Sequence, residues 1–360
     1  MIDESPSVPA KGPPARPDLS VLIVTYNSLP FVLDCLRAVE GGTTTLRVEV
    51  LVADNASTDG SVHAVRTAAP QARVIEMGGN AGFARANNRL LAAASGRHAL
   101  LLNGDAFPDP GALEEMVAFA DSHRDAGVVA PALLNADRTD QRTARSFPSP
   151  AAAIWGRRSP LTRAFPDNRW SRRYLVERPE DRAEAYEVDW VSGACLMAPV
   201  ELLRDLGGLD EGFFMHFEDA DLCKRIKDTG RQVWCVPSAT VVHLEGASRR
   251  GWPAAQVRYF HHGAYRFYAR NYLTGPKAAL RPLAAGLLAV RAAGVVGVNL
   301  ATGRRRDRGA APADVDLTAV RGERAGVIDL TATGSRLGPG DPAQYAPVPA
   351  GTSPMEASDS

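Results

Sequence analysis

Short apolar segments alternate with helical segments up to about residue 122, and this alternation constrains the fold more than any other feature of the chain. The predicted strands are Leu19–Thr25, Arg47–Ala53, Ala72–Glu76 and His98–Asn103. The predicted helices are Pro30–Glu40, a helix that begins at Thr58–Asp59, Gly82–Ser95 and Pro110–Ser122. This order is typical of a parallel sheet with helices on both faces. We therefore expect an α/β fold.

Polar side chains follow three of these strands, in Thr25-Tyr26-Asn27, Asp54-Asn55 and Asn103-Gly104-Asp105. Because ligands of open α/β sheets bind beyond the carboxyl ends of the strands, we expect these side chains to share one site. Two interpretations of the segment around Asp54 stay open. The Asp54 carboxylate accepts hydrogen bonds from a base or ribose, or the segment is a plain helix cap formed by Ser57 or Thr58. Two interpretations also stay open for Asp105. It is a ligand of Mg²⁺ or Mn²⁺, or it belongs to a simple Asn-Gly-Asp turn.

An acidic segment follows a run of aromatic residues much later in the chain. Glu218, Asp219 and Asp221 stand directly after Phe213-Phe-Met-His-Phe217, at the start of a helix predicted to run from Phe217 to Thr229. Asp221 and Arg225 are spaced to form an ordinary helix ion pair. Acids in the first turn also suit the helix dipole. Glu218 and Asp219 remain the best candidates for a general base in a partly dry pocket.

The rest of the second half is less regular. Residues 135–186 lack periodicity and read as a long functional loop or insertion rich in Arg and Trp. Strands are predicted at Tyr186–Ala198, which contains Ser192-Gly-Ala194, at Arg231–Val236 and at Thr240–His243. A lone histidine after a strand, such as His243, is more often structural than a metal ligand. If His243 does bind a metal beside a carboxylate, imidazole suits Mn²⁺ better than Mg²⁺.

Composition excludes some classes of function. Lysine plus arginine equals aspartate plus glutamate at 41 each, so charge gives no reason to expect nucleic acid as a partner. The 4 cysteines show no metal-ligand spacing and read as reduced, buried thiols of a cytosolic protein. Residues 1–17 lack the apolar core of a signal peptide and are expected to be a disordered leader.

The C-terminal part suggests contact with a membrane. An aromatic and basic helix is predicted over 254–272, and a Leu-, Ala- and Val-rich segment over 278–301 is interrupted by Arg281 and Arg291. An arginine at mid-bilayer costs about 2.5–3.5 kcal/mol or more, so a helix on the membrane face is favoured over one that spans it. A helix packed on the protein's own body is an equal alternative. The basic run Gly303–Arg308 suits an anionic surface, and residues 309–360 read as disordered.

Taken in order, these motifs resemble the inverting glycosyltransferases of family 2, most of all the rhamnosyltransferase branch. The resemblance covers residues 19–250 and rests on the combination, since each motif alone is weak. The motifs are Val-Thr-Tyr-Asn27, Asp54-Asn-Ala-Ser-Thr-Asp-Gly-Ser61, Asn80-Ala-Gly-Phe-Ala84 with Asn87-Asn88, Asn103-Gly-Asp105, Ser192-Gly-Ala194, Phe-Phe-Met-His-Phe-Glu218-Asp219-Ala-Asp221 and His243.

The resemblance implies a GT-A fold: a Rossmann-like, mostly parallel sheet flanked by helices, with C-terminal helices beyond it. It implies a nucleotide-binding half over 18–131 and an acceptor half over 132–250. The segment 251–308 lies beyond the resemblance and is expected from its own pattern to be helical and membrane-associated. The resemblance also implies roles for individual residues. Those implied to bind the nucleotide sugar are Thr25, Tyr26, Asn27, Asp54, Asn55, Asn80, Arg85 and Asn103; the implied metal ligands are Asp105 and His243; the implied catalytic acids are Asp219, as base, and Glu218.

The sequence departs from the family pattern at two places. Asn103 stands where the first acid of the Asp-x-Asp motif is usual, and Gly104 replaces the middle residue seen in rhamnosyltransferase-like members. Arg89 stands where many relatives have glycine. Because Asn103 replaces an acid, Asp105 is expected to contribute more of the metal binding. Arg89 is expected to alter the fit around the donor.

The resemblance therefore implies a hexosyltransferase that uses Mg²⁺ or Mn²⁺ to move a sugar to a lipid-linked or surface glycan. The expected donor is dTDP-rhamnose, with another sugar nucleotide as the alternative. The C-terminal pattern adds the expectation that the protein lies at the cytoplasmic face of the cell membrane. Two rivals stay open at this point. A nucleotidyltransferase would need a Gly-rich, basic loop after the first strand, which Thr25-Tyr26-Asn27-Ser28 lacks. A glycan-binding pseudoenzyme is disfavoured by the acids at 105 and 219.

Overall fold

The computed structural model describes residues 16–148, 184–244 and 253–301. Several predictions from sequence fall on other parts of the chain. Nearly all of the leader 1–17, the larger part of the 135–186 insertion, the basic run Gly303–Arg308 and the tail 309–360 lie outside the described residues.

The first half of the chain forms a parallel α/β unit, as expected. Strand β1 pairs with β2 on one side and with β4 on the other, and β2 pairs with β3, all in parallel. The strands are β1 Leu19–Thr25, β2 Val48–Asp54, β3 Arg73–Glu76 and β4 His98–Asn103; the helices between them are α1 Leu29–Gly41, α2 Ser61–Ala68 and α3 Gly82–Ala93.

The second half completes a mixed sheet. In the described residues the strand order is β3-β2-β1-β4-β8-β6-β9-β5, with β7 beside β9. Strands β5, β7 and β8 run antiparallel to their neighbours, whereas β6 and β9 are parallel. The elements are β5 Ala106–Pro108, α4 Ala112–Ser122, β6 Ala126–Leu134, β7 Tyr186–Val188, β8 Cys195–Pro199, α5 Val200–Asp205, α6 Glu218–Asp228, β9 Gln232–His243, α7 Pro253–Asn271, a 3₁₀ helix Gly275–Leu280 and α8 Arg281–Ala301.

Both faces of the sheet are covered by helices. Along β1, Val21 and Ile23 pack into one apolar cluster with α1, α2 and α4, whereas Leu22 packs into the other with α3, α5 and α6. This alternation follows from the two-residue period of a strand. Phe267 of α7 is fully buried in the second cluster, so α7 is an integral part of the sheet's helical layer.

Several local predictions were wrong. Helix α2 begins at Ser61, not at Thr58–Asp59. The left-handed Gly60 precedes it, and Asp59 Oδ1 accepts a hydrogen bond from the Ser61 N–H at 3.0 Å. The predicted strand Tyr186–Ala198 is two strands, β7 and β8, with Ser192-Gly-Ala194 in the turn between them. The two strands expected at 231–236 and 240–243 are one strand, β9. Strands β5 and β6 were not predicted.

Other local predictions are confirmed. All 4 cysteines are buried, and none forms a disulfide with another described residue. Asp221 and Arg225 form an ion pair of 2.7 Å within α6, and Leu222 and Ile226 share its buried face.

Candidate functional site

The carboxyl ends of three parallel strands lie side by side. Thr25 is in register with Asp54, and Val24 is in register with Asn103. Asp54 is buried and accepts hydrogen bonds from Thr25 Oγ1 (3.1 Å), from the Ser57 N–H (2.9 Å) and from Ser57 Oγ (2.5 Å). Asp54 therefore organises the turn after β2. Its Oδ1 accepts two of these bonds, whereas Oδ2 accepts one and has a lone pair for a further donor.

Most of the predicted nucleotide-binding residues also hold the loops in place. Asn27, in a left-handed conformation, accepts from the Thr58 N–H at 2.8 Å. Asn55 joins the end of β2 to the start of α3, because its Nδ2 donates to Gly82 O and its Oδ1 accepts from the Ala81 N–H.

The remaining residues of this group lie around the same strand ends. Tyr26 is half-buried between Thr25 and Asn27, directly after β1. Asn80 Oδ1 accepts from the Gly82 N–H at 3.1 Å. Arg85 lies on the exposed side of α3 and pairs with Glu211 at 3.1 Å. The loops after β1 and β2 thus meet the start of α3.

Asp105 and His243 lie together, although 138 residues of sequence separate them. Antiparallel pairing of Ala106 with His243 brings them to one place, and His243 Nε2 is 3.5 Å from Asp105 Oδ1. Both residues are buried, and Asn103 Nδ2 lies 3.4 Å from the same imidazole nitrogen. Among the described residues no group of three or more His, Cys, Asp or Glu side chains could hold a metal. A cation here would therefore take its remaining ligands from substrate oxygens and water, as Mg²⁺ and Mn²⁺ sites at phosphates commonly do.

Sequence reasoning missed Gln141. Its side chain is buried against His243 and contacts both the imidazole and the backbone carbonyl of that residue. The signal was absent from the sequence, because Gln141 falls in the aperiodic segment and contacts a residue 102 positions away.

The three acids at the start of α6 have different surroundings. Asp221 is 1% exposed and paired with Arg225. Glu218 is also buried. Asp219 is half-buried, and its two oxygens accept from the backbone N–H groups of Gly193 (3.1 Å) and Ala220 (2.8 Å).

Burial raises the pKa of the Asp219 carboxyl above its usual range. The two N–H donors and the positive charge of Arg145 oppose this rise but do not cancel it. A carboxylate that is partly desolvated and still reachable is a better proton acceptor than one in water. Of the three acids, Asp219 best combines these two properties.

One turn links this acid to the predicted metal ligands. The backbone N–H of Asn103, at the end of β4, donates to Ala194 O at 2.9 Å, and the neighbouring Gly193 N–H donates to Asp219. The motif Ser192-Gly-Ala194 thus fixes the acidic helix against the strand end that leads to Asp105.

The loop before α6 is held from two sides. His216 and Phe217 both have positive φ, at 72° and 73°, in the left-handed region that L-residues seldom adopt. Phe83 N–H donates to Phe214 O, and Gly82 lies so close that an added Cβ would be 2.5 Å from that oxygen. On the other side, Phe214 stacks on Tyr259 of α7 with ring centroids 4.3 Å apart. Such strained positions persist where the surroundings determine them, and they cluster at functional sites.

Arg145 is a second residue whose role the sequence did not reveal. Its guanidinium lies 5.2 Å from the ring centroid of Trp190, and its charge acts on Asp219. The bridge between Arg145 and Trp190 positions it. Within the described part of the Arg-rich insertion, Arg145 is the residue whose charge acts on the candidate base Asp219.

Comparison with known proteins supports an assignment to a family. The family model described as glycosyl transferase family 2 matches residues 20–203, slightly more than half of the chain. The chain is 31% identical over 299 residues to the N-acetylglucosaminyl-diphospho-decaprenol L-rhamnosyltransferase of Mycobacterium tuberculosis, covering 80% of this chain and 96% of that one. It is 29% identical over 84 residues to the rhamnosyltransferase WbbL of Escherichia coli K12, covering 23% of this chain and 32% of that one.

A solved structure agrees at the level of fold. The crystal structure of GalNAc-T7 with UDP, GalNAc and Mn²⁺ superposes with a TM-score of 0.50 at 16% identity, over 75% of this chain and 54% of that one. The GT-A fold class expected from the sequence is confirmed. The chain belongs to glycosyl transferase family 2 and is a glycosyltransferase.

Proposed function

We propose that the protein transfers rhamnose from dTDP-rhamnose to a lipid-linked glycan acceptor with inversion at the anomeric carbon, using Asp219 as its base. The observation that carries the proposal is the turn at Gly193 and Ala194, which bonds both Asp219 and the strand end next to Asp105. A base and a candidate cation site that are held by the same turn are well placed for a single displacement of a diphosphate leaving group.

In the proposed reaction the acceptor hydroxyl attacks the anomeric carbon from the face opposite the leaving group. The new bond joins the acceptor oxygen to that carbon, and the bond from the carbon to the diphosphate oxygen breaks. Asp219 takes the hydroxyl proton, and dTDP departs. One displacement inverts the configuration, so no second carboxylate is needed as a nucleophile. Glu218, the other catalytic candidate from the sequence, is buried and is proposed to line the pocket beside Asp219.

The residues at 105 and 243 fit a divalent cation. A carboxylate oxygen and an imidazole nitrogen 3.5 Å apart, in a buried setting, are suitable ligands for Mn²⁺ and acceptable ones for Mg²⁺. When bound, such a cation would stabilise the charge that develops on the departing diphosphate. GalNAc-T7, which has a similar fold, is seen with UDP and Mn²⁺.

The nucleotide sugar is proposed to lie across the carboxyl ends of β1, β2 and β4. Base and ribose would contact the loops after β1 and β2, and the diphosphate would run past the start of α3 toward Asp105. The residues proposed for these contacts are Thr25, Tyr26, Asn27, Asp54, Asn55, Asn80, Arg85 and Asn103. In this arrangement residues 18–131 form the nucleotide half and 132–250 the acceptor half.

The choice of rhamnose and of a lipid-linked acceptor is supported by relatives. The mycobacterial protein is named for transfer of L-rhamnose to N-acetylglucosaminyl-diphospho-decaprenol, and the Escherichia coli protein is also named a rhamnosyltransferase. The alignment with the mycobacterial protein extends over most of both chains, whereas the family model ends at residue 203, before Asp219 and His243.

A donor panel tests the proposal. Purified protein would be incubated with Mn²⁺ or Mg²⁺, an N-acetylglucosaminyl-diphospho-polyprenol acceptor, and dTDP-rhamnose, UDP-glucose, UDP-N-acetylglucosamine or GDP-mannose in turn. We expect transfer from dTDP-rhamnose to exceed transfer from the others. Selective use of another donor would contradict the rhamnose assignment, and binding of no donor with either metal would favour the pseudoenzyme.

The protein is proposed to lie peripherally at the cytoplasmic face of the membrane, and helix α8 supports the contact with lipid. Within the described residues, Gly275–Leu300 is long and apolar enough to cross a bilayer, with a mean hydropathy of 1.8 and none of its apolar window buried. Its exposed large side chains are Leu280, Leu283, Leu287, Val290, Val298 and Leu300. The alternative that α8 packs wholly on the protein's own body does not account for this apolar surface.

The two arginines of this segment contact α7 and its C-terminal end. Arg281 donates to Ala269 O and Leu273 O, at the C-terminal end of α7, and Arg291 Nη1 lies 2.7 Å from His261 Nε2. Arg291 stands near the middle of α8, so a spanning helix would bring this charge and α7 with it into the bilayer core. A helix lying in the interface, with its apolar face toward lipid, avoids that cost.

Vesicle flotation tests this placement. The full-length protein and its Leu287→Glu/Val290→Glu variant would be mixed with vesicles of anionic phospholipid, and Ala118→Glu, at an exposed position of α4, would serve as control. We expect the wild type and the control to float with the vesicles and the double variant to stay in the soluble fraction. Equal behaviour of all three, floating or soluble, would contradict the placement.

A further inference from the structure

Gln141 makes two contacts with the same residue, His243. Its Nε2 donates to the backbone carbonyl of His243 at 2.5 Å, and its Oε1 lies 3.0 Å from His243 Nδ1. Both side chains are buried, at 3% and 5% exposed. Such a paired contact leaves little freedom for either the amide or the ring.

Strand pairing explains why Gln141 reaches His243. Strands β6 and β9 are parallel, with Leu134 opposite Val242. The turn after β6 folds back, so that the Gln141 N–H donates to Leu133 O at 2.8 Å. The side chain of Gln141 is thereby placed beside the last residue of β9, and its position is set by backbone hydrogen bonds.

The contacts determine the orientation of the amide. If Oε1 and Nε2 of Gln141 exchanged places, a carbonyl oxygen would face the carbonyl oxygen of His243, which is repulsive. The amide nitrogen must therefore face the backbone, and Oε1 must face Nδ1. Because an amide oxygen only accepts hydrogen bonds, Nδ1 of His243 has to carry the proton.

The position of the proton determines what His243 offers to the site. A neutral imidazole protonated at Nδ1 has its lone pair at Nε2. That nitrogen is the one that lies 3.5 Å from Asp105 Oδ1, and the Asn103 amide nitrogen lies 3.4 Å from it, as a donor facing an acceptor does. The lone pair is thus directed to the place where the proposed function puts the cation.

We propose that Gln141 is a positioning residue that fixes the tautomer and orientation of His243, so that Nε2 can bind a divalent cation together with Asp105. The inference rests on the proposed function, because it assumes that the cation binds there. Partners that hold the second nitrogen of a metal-bound histidine commonly change metal affinity about 10–100-fold when they are removed.

The direct test of the tautomer needs no variant at position 141. Long-range ¹H–¹⁵N spectra of the metal-free, full-length protein distinguish histidine rings protonated at Nδ1 from those protonated at Nε2, and the spectrum of His243→Gln identifies the signals of His243. We expect His243 to be protonated at Nδ1. Protonation at Nε2 in the wild type would overturn the inference.

The second test measures binding of Mn²⁺ in the presence of dTDP, by titration calorimetry or by the electron paramagnetic resonance signal of free Mn²⁺. Gln141→Met keeps the length of the side chain but removes both hydrogen bonds to His243. Gln71→Met makes the same substitution at an exposed position. We expect Gln141→Met to bind Mn²⁺ at least about 10-fold more weakly than the wild type, and Gln71→Met to match the wild type.

The outcomes separate the inference from the function on which it rests. Wild-type affinity in a folded Gln141→Met variant would overturn the role of Gln141 and leave the metal site standing. If the wild type itself bound no Mn²⁺ with dTDP, the metal site would fail and the inference with it. Circular dichroism shows whether the variant is folded, and the tautomer measurement decides the matter if it is not.

Discussion

The backbone N–H of Gly193 donates a hydrogen bond to Oδ2 of Asp219 at 3.1 Å, and this contact holds the candidate base against the turn that also bonds the end of β4. The N–H of Ala220 binds the other oxygen. Among the described residues, two backbone N–H groups therefore orient the carboxylate. Burial nevertheless raises its pKa, so the same group is both fixed and basic.

The first prediction concerns the pH dependence of transfer. A base must be deprotonated to accept the hydroxyl proton, so kcat should fall as the pH drops through the pKa of Asp219. Because burial raises that pKa, we expect the acidic limb of the kcat profile to lie above the range of an ordinary aspartate. The profile would be measured at saturating donor and acceptor. A kcat that stays constant down to the usual pKa of aspartate would contradict the role of Asp219.

The second prediction concerns Arg145. Its positive charge lowers the pKa of Asp219 and so partly offsets the effect of burial. Arg145→Met should therefore raise this pKa further and move the acidic limb of the kcat profile to higher pH. Arg142→Met makes the same change at an exposed neighbour and should leave the limb in place. A shift in both variants, or in neither, would count against a specific effect of Arg145.

The third prediction compares two glycines with positive φ. Gly82 (φ 81°) lies where an added Cβ would be 2.5 Å from Phe214 O, whereas Gly78 (φ 70°) has no atom within 4 Å of that position. Gly78→Ala should lower the free energy of unfolding by about 1–2 kcal/mol through backbone strain alone. Gly82→Ala should lower it further and also reduce kcat, because it displaces the loop that leads to Asp219. Urea unfolding measures the first effect, and equal losses in the two variants would show that the close approach to Phe214 is unimportant.

The fourth prediction contrasts two ion pairs within α6. Arg225 pairs with the buried Asp221 and also donates to Leu206 O and Gly208 O, whereas Lys224 pairs with the exposed Asp228. Arg225→Met leaves the buried carboxylate with the longer contact to Arg270 (3.4 Å) and also removes the bonds to the two carbonyls. It should lower the free energy of unfolding by about 3 kcal/mol, the low end of the cost of breaking a buried pair. Lys224→Met should change it by less than about 1 kcal/mol. Similar effects in chemical denaturation would mean that burial does not distinguish the pairs.

The parallel half of the fold could be predicted because its strands are short, apolar and separated by clear helices. The strands of the other half carry residues that weaken the signal. Strand β6 contains Gly127 and Pro131, and its register shifts between Pro131 and Ala132, where a missing N–H does least harm. Strand β9 was divided in the prediction because Pro237 and Ser238 stand opposite that same irregularity.

The candidate site was predictable only in part. Residues at strand ends, such as Asp54 and Asp105, could be named because topology brings the carboxyl ends of parallel strands together. The contact between Gln141 and His243 could not, because it depends on a turn after β6 and on the register of β9. The left-handed Gly60 also hid the true start of α2, since the Asx-rich sequence before it resembles a helix cap.

The central claim is that Asp219 acts as the base and does not bind the donor. Its most direct test compares Asp219→Asn with Asp228→Asn, which makes the same change at an exposed position of the same helix. For each protein, kcat and the dissociation constant of dTDP-rhamnose would be measured with Mn²⁺. We expect Asp219→Asn to lose about 10²–10⁴-fold in kcat with donor binding unchanged, and Asp228→Asn to match the wild type in both. A kcat retained in Asp219→Asn, or a loss explained by weaker donor binding, would contradict the account.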